Sequence, residues 1–185
     1  MRPVTEQFHN ADRKINIHAP WRIEYIETLG EEPEGCFLCR AREETHRDEE
    51  NLLLWRTANC LVVLNRFPYT AGHLLIAPAG HTDSLEGLSR EVMGEMMELN
   101  RDCLKLLERA LNAQGFNIGL NIGRCAGAGL PDHLHLHVVP RWGGDTNFMA
   151  VLGDVRVIPQ CLREVRRKLL ATAEELKLPR VVYAR

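Results

Sequence analysis

No apolar run in the chain approaches the roughly 18 residues that a membrane-spanning helix needs. The opening stretch MRPVTEQFHNADRK has no apolar core of the kind a secretory signal carries, so the expected compartment is the cytoplasm. Net charge is also scarce: 23 Lys and Arg against 25 Asp and Glu leave a formal -2, which gives neither nucleic acid nor a membrane surface as a partner. Six cysteines, at positions 36, 39, 60, 103, 125 and 161, are too few and too irregular for the framework of a small secreted scaffold. Only Cys36 and Cys39 lie close enough to share a task. What remains is a soluble-type composition with 45% apolar residues over 185 positions, enough for one core with some decoration.

The apolar pattern divides the chain. Residues 1–34 have mixed polarity, with one apolar cluster from Ala19 to Ile26, and are expected to form an arm that docks on the domain. The domain itself is expected over 35–150, with a helical extension over 151–185. A charged stretch, Arg40 to Glu50, separates the cysteine pair from two apolar runs, Leu52 to Trp55 and Leu61 to Leu64, which read as a β-hairpin around Thr57-Ala58-Asn59. His73 to Ala77, bounded by Gly72 and Pro78, reads as a third strand. From Ser84 to Gln114, apolar residues recur at three- and four-residue spacings and predict one long amphipathic helix, stopped by Gly115. Two further strands, Phe116 to Ile122 and His133 to Pro140, flank a glycine-rich loop, and a closing helix runs from about Gln160 to Leu176. The order predicts an α+β domain.

In His133-Leu134-His135-Leu136-His137-Val138-Val139 the period is two. An extended backbone therefore throws the three imidazoles to one face and Leu134, Leu136 and Val138 to the other, with histidines about 7 Å apart along the strand. Such a row can bind phosphate oxygens, ligate metal or supply a nucleophile. A neutral imidazole is nucleophilic near physiological pH, and its second nitrogen can donate to a carbonyl that fixes the tautomer. The preceding Ala126-Gly127-Ala128-Gly129 lets backbone amides approach a phosphate. Cys36 and Cys39 have the spacing of a zinc knuckle, since two intervening residues let both thiolates face one ion. That pair is half a site; His46 is one candidate to extend it, and an empty pair of reduced thiols is the other reading.

From His133 to Val139 the sequence resembles the histidine-triad (HIT) family, whose signature alternates histidine with apolar residues. The likeness runs from Cys36 to Phe148, through Cys36-Phe37-Leu38-Cys39, Leu64-Asn65-Arg66-Phe67-Pro68, Thr70-Ala71-Gly72-His73, Pro78 to His81 and Asn121-Ile122-Gly123. The segments Pro140 to Phe148, which includes Trp142, and Ala19 to Arg22 look like the bacterial branch that acts on diadenosine polyphosphates. The resemblance implies a five-stranded antiparallel sheet with a long helix and a C-terminal helix, and two subunits joined sheet edge to sheet edge. It implies that His135 attacks the α-phosphorus of a nucleotide and holds the nucleotidyl group covalently. His137 would contact phosphate oxygens, His133 would support the site, Asn121 would bond the phosphate and Asn65 the ribose hydroxyls; Gly129 and Trp142 complete the expected nucleotide site. One departure is plain: Ala128-Gly129-Leu130 stands where many members carry Gln and Ser or Thr, so side-chain donors to the leaving group are missing there.

The same resemblance implies that His81 and His133 complete a structural zinc site with Cys36 and Cys39. The expected activity is cleavage of diadenosine tri- or tetraphosphate, by hydrolysis or nucleotidyl transfer. Nucleoside phosphoramidase activity and a nucleotide-binding scaffold are the alternatives. A homodimer is expected, because a sheet edge needs cover and Met93, Met96 and Met97 offer an apolar helix face.

Overall fold

The computed structural model describes residues 35–145 and 160–178. The expected N-terminal arm, with Trp21, and residues 146–159 lie outside the described residues.

Continuous apolar runs rather than alternation mark the central strands, because both faces of the sheet are covered. In β2 (Cys60–Leu64), Cys60, Val62 and Leu64 face one side, Leu61 and Val63 the other. In β3 (Leu74–Pro78), Leu74 and Ile76 face the first side, Leu75 and Ala77 the second. The first strand, β1 (Leu53–Arg56), breaks the period: its register with β2 shifts between Leu53 and Trp55. Leu53 therefore joins one core while Leu54 and Trp55 both join the other. With β4 (Gly115–Leu120) and β5 (Leu136–Arg141), the strands form one antiparallel five-stranded sheet in the order β1-β2-β3-β5-β4. This is the expected α+β architecture.

The larger core lies between the sheet and two helices, α2 (Arg90–Leu111) and α3 (Leu162–Leu176). Helix α2 contributes Met96, Leu99, Cys103, Leu106 and Leu107; α3 contributes Val165, Leu169 and Ala173 to the same core. The smaller core, on the opposite face, is closed by a short helix, α1 (Phe37–Glu43), through Leu38 and Ala41. Sequence periodicity gives no sign of α1, because seven residues make only two turns and its apolar contacts are few. Arg42 donates to the Ala79 carbonyl (2.7 Å) and Arg56 to the Ala41 carbonyl (2.7 Å), which pins α1 across the sheet.

Two expected boundaries are corrected. The long helix starts at Arg90, not Ser84. Thr82 Oγ1 accepts from the Ser84 amide and Ser84 Oγ from the Gly87 amide, which closes short turns, but Ser89 has extended backbone (φ -67°, ψ 156°) and separates those turns from the helix. Ser89, whose hydroxyl accepts from the Val92 amide at 3.2 Å, is the N-cap. Likewise the histidine strand starts at Leu136, not His133. The ladders to β3 and to β4 both end at Leu136, opposite Ile76 and Leu120, and His133 to His135 run on beyond them.

Candidate active site

Alternation along β5 sends Leu136 and Val138 into the larger core and His137 to the opposite face, where it lies across from Leu75. Helix α1 covers the β1–β3 part of that face and leaves the β3–β5 part to His73, His135 and His137. The loop from Asn65 to His73 folds back over it, closed by the Asn65 amide donating to the His73 carbonyl (2.8 Å) and anchored by Thr70 Oγ1 on the Pro140 carbonyl (2.9 Å).

Hydrogen bonds to backbone groups of known polarity determine the tautomers. The Tyr69 amide can only donate, and it lies 3.1 Å from His73 Nδ1; Asn65 Nδ2 lies at 3.1 Å from the same nitrogen. His73 therefore carries its proton on Nε2 and donates it to His137 Nδ1 at 2.9 Å. His137 in turn carries its proton on Nε2, facing Asn121 Nδ2 at 3.4 Å. The two nitrogens lie side by side, an arrangement that an anionic oxygen set against both would satisfy. Burial, reinforced by neighbouring imidazoles, pushes His73 down to about 3 and His137 down to about 4, so both are neutral at physiological pH. His135 is oriented the other way: its Nδ1–H donates to the His133 carbonyl at 2.8 Å. Its Nε2, with the lone pair, has no hydrogen-bond partner among the described residues. The His135 and His137 rings meet edge to face, 4.9 Å apart.

His133 is not part of this row. Its Nε2–H donates to the Pro78 carbonyl at 3.0 Å, and the lone pair on Nδ1 faces Cys36 Sγ at 3.1 Å and Cys39 Sγ at 3.6 Å. His81 Nδ1 lies 3.3 Å from Cys39 Sγ. The ligand atoms of Cys36, Cys39, His81 and His133 all lie within 4.8 Å of one another. Two thiols and two imidazoles, one already held in the ligating tautomer by a carbonyl, fit a tetrahedral ion. Without a cation, burial and the neighbouring Cys36 thiol push the Cys39 thiol up to about 11. His46, the rival ligand, is exposed in the 3-10 turn Thr45–Arg47 and stands outside this group.

The remaining expected residues divide. Asn65 and Asn121 reach the imidazoles as just described. Asn65 Oδ1 also accepts from the Phe67 amide (3.0 Å). Gly129 sits exposed in the loop after the turn Arg124–Ala126, with open space where a Cβ would be. Trp142 is not brought to the histidines: it packs on the larger core, across the sheet, and donates its indole N–H to the Leu111 carbonyl (3.2 Å). Sequence reasoning missed two residues. His73 was visible only as the start of an apolar strand, although its parity with Leu75 already placed it on the site face. Tyr69 stacks on His137 with ring centroids 5.8 Å apart and 15° between planes, a contact made by the loop's fold.

The family model for the HIT domain matches residues 47–144, more than half of the chain. The chain belongs to the HIT family. Within that family it is 45% identical, over 125 residues, to an AP-4-A phosphorylase of Mycobacterium tuberculosis, covering 68% of this chain and 64% of that relative's length. The chain thus spans slightly less than two thirds of that protein. A crystal structure of a Zn-bound histidine triad family protein from Mycobacterium smegmatis superposes with a TM-score of 0.61 at 28% identity, covering 77% of this chain and 96% of the other. A histidine triad nucleotide-binding protein from Sulfolobus tokodaii shares the fold, with a TM-score of 0.59 at 24% identity over 77% of this chain and 94% of that one. The HIT signature thus maps onto two adjoining centres here: His135 and His137 on the open sheet face, and His133 among the thiols.

Proposed function

We propose that this HIT protein is an enzyme that cleaves the phosphoanhydride of a dinucleoside polyphosphate, diadenosine tri- or tetraphosphate being the substrate class, through a nucleotidyl group held covalently on His135. The observation that carries the reading is the opposed pair of tautomers: an unprotonated Nε2 on His135 beside an Nε2–H on His137 that lies side by side with the Asn121 amide. A phosphate oxygen set against both His137 Nε2 and the Asn121 amide would present its phosphorus to His135. The Nε2–P bond then forms as the P–O bond to the polyphosphate breaks, and the polyphosphate leaves with the electron pair as an anion. The Nδ1–H of His135, still donating to the His133 carbonyl, stabilises the positive charge on the substituted ring. Inorganic phosphate next attacks phosphorus, or water does so with release of a proton to solvent, and the electron pair of the P–N bond returns to Nε2.

The missing loop donors favour this substrate over a phosphoramidate. Gly129 has no side chain, and Leu130 packs with the smaller core beside Cys36. An amine must be protonated as it leaves, whereas a polyphosphate leaves as an anion and needs no side-chain acid. The similarity to an AP-4-A phosphorylase supports the same choice.

Cys36, Cys39, His81 and His133 would hold a structural zinc ion; a closed four-ligand set leaves no position for substrate. Such thiols call for a reducing compartment, in keeping with the cytoplasm. The chain pairs with a second copy through β4, the open sheet edge; the opposite edge, β1, is covered where Arg166 Nε donates to the Leu53 carbonyl (2.7 Å).

The test is turnover of a panel of adenine nucleotides and a nucleoside phosphoramidate, with and without inorganic phosphate. Diadenosine tetraphosphate should be the best substrate, with adenosine diphosphate as a product if phosphate is the acceptor and adenosine monophosphate if water is. His135→Ala should abolish turnover and leave nucleotide binding nearly intact, and rapid quench should trap an acid-labile, base-stable nucleotidyl adduct on the wild type alone. Substantial activity in His135→Ala would overturn the mechanism.

A further inference from the structure

The nucleophile lies beyond the end of the sheet. Both ladders of β5 stop at Leu136, so the peptide between His133 and Leu134, whose carbonyl orients His135, is not held by strand pairing. It is held by other means. On its amide side, Leu134 N–H donates to the Thr82 carbonyl at 2.6 Å, and Thr82 follows His81. On its carbonyl side, the His133 ring is gripped at both edges, by the Pro78 carbonyl and by the thiols of Cys36 and Cys39. The peptide plane is therefore bracketed by one member of the Cys36, Cys39, His81 and His133 cluster, His133 itself, and by the residue that follows another, His81.

We propose that this cluster, when loaded with metal, aims the nucleophile, so that Cys36 and Cys39 are positioning residues for His135. The inference rests on the reading of His135 as the attacking group. Thiols make only weak hydrogen bonds, and the contacts they offer His133 and His81 in the absence of a cation are correspondingly soft. A bound ion would replace them with coordinate bonds from all four side chains, tying α1, the segment after β3 and the His133 peptide together. Carbonyl direction sets the plane of the His135 ring, and ring plane sets whether Nε2 points at phosphorus. The phosphate-binding partners do not depend on the cluster: His137 lies within the paired part of β5, and His73 backs it from the start of β3. Loss of the metal should thus cost rate and spare binding, since attack geometry is sensitive to displacements of an ångström.

Wild type as purified, wild type stripped with a chelator, stripped wild type with zinc restored, and Cys36→Ser/Cys39→Ser are compared. Each is measured for zinc content, for kcat and KM with diadenosine tetraphosphate, and for the His135 ring nitrogens by long-range proton–nitrogen correlation. Thermal melting checks that each is folded. Stripping should lower kcat by about 100-fold with KM changed by less than about threefold, in line with the loss expected from a misplaced reacting group. The His135 signals should pass from a single Nδ1–H tautomer to an averaged one. Zinc should restore both in the wild type and neither in the double variant; if the double variant does not fold, the stripped and restored wild type carries the comparison. Unchanged kcat and tautomer after zinc loss would overturn the inference, as would protein that takes up no zinc. Failure of the nucleophile reading would look different: His135→Ala would stay active whatever its metal content.

Discussion

Two histidines in this protein are chemically opposite because of what their second nitrogens touch. His135 donates its Nδ1–H to a carbonyl, and His137 Nδ1 accepts a hydrogen bond from His73 Nε2–H, so one presents a lone pair and the other a donor. The amide of Tyr69 stands at the head of the second chain, a backbone donor that only proline would remove. His73→Leu should leave His137 free to adopt either tautomer. We expect kcat to fall by about tenfold to a hundredfold, part of what positioned proton donors supply, with a smaller change in KM. Steady-state kinetics with diadenosine tetraphosphate measures the split, and a kcat equal to wild type would refute the assignment. We propose that Asn65 holds the ribose hydroxyls; Asn65→Ala should then act the other way, raising KM and sparing kcat, because Tyr69 alone still directs His73 and such contacts would be made equally in ground and transition states. The same assay reports it, and a large fall in kcat at constant KM would misplace the ribose.

Among the elements, the turn into β3 is the tightest fit. Gly72 has φ +82°, and a Cβ there would stand 2.4 Å from Leu111 Cδ1 and 3.2 Å from Leu107 Cδ2 of α2. The turn delivers His73 to the site face while its backbone lies against the long helix. Gly72→Ala should therefore destabilise by more than about 1 kcal/mol, from left-handed strain and from displacement of Leu111. Urea unfolding would show a lower midpoint, and an unchanged midpoint would mean the helix yields freely. The helix boundary tells a related story. Leu85 and Leu88 continue the apolar period of α2 backwards, but the extended backbone of Ser89 (φ -67°, ψ 156°) breaks the helix between them and Arg90. Periodicity records which residues seek burial; capping decides where the helix begins.

Among the described residues the sheet ends on one side in β4, where Ile118 is 44% exposed at an edge that no described strand flanks. Sedimentation should give twice the subunit mass at micromolar concentration, and Ile118→Lys should shift it toward one. A wild type at one subunit mass would end the dimer proposal. Stability should also respond to pH through the neutral imidazoles. Unfolded, His73 and His137 take up protons near 6.5; folded, they do so only near 3 and 4, so between those limits the unfolded chain binds more protons. Stability is then greatest above about 6.5 and falls as pH drops toward 4. In chelator, so that thiol ligands do not contribute, His73→Asn should flatten this slope in urea titrations; an equal slope would contradict the burial argument.

Much of this was written in the chain itself. Strict alternation from His133 to Val138 predicts that the histidines part from Leu134, Leu136 and Val138, because an extended backbone has a period of two. The spacing of Cys36 and Cys39, and the apolar period through Leu99, Cys103 and Leu106, are local facts of the same kind. The tertiary structure decided what the alternation cannot express: where pairing stops. Because the ladders end at Leu136, His133 turns to the thiols and Pro78, while His135 and His137 stay together on the open face. It also decided that His73 supports the site and that Trp142 does not, since each depends on which surface a distant segment packs against. Those contacts span tens of residues, and no local spacing encodes them.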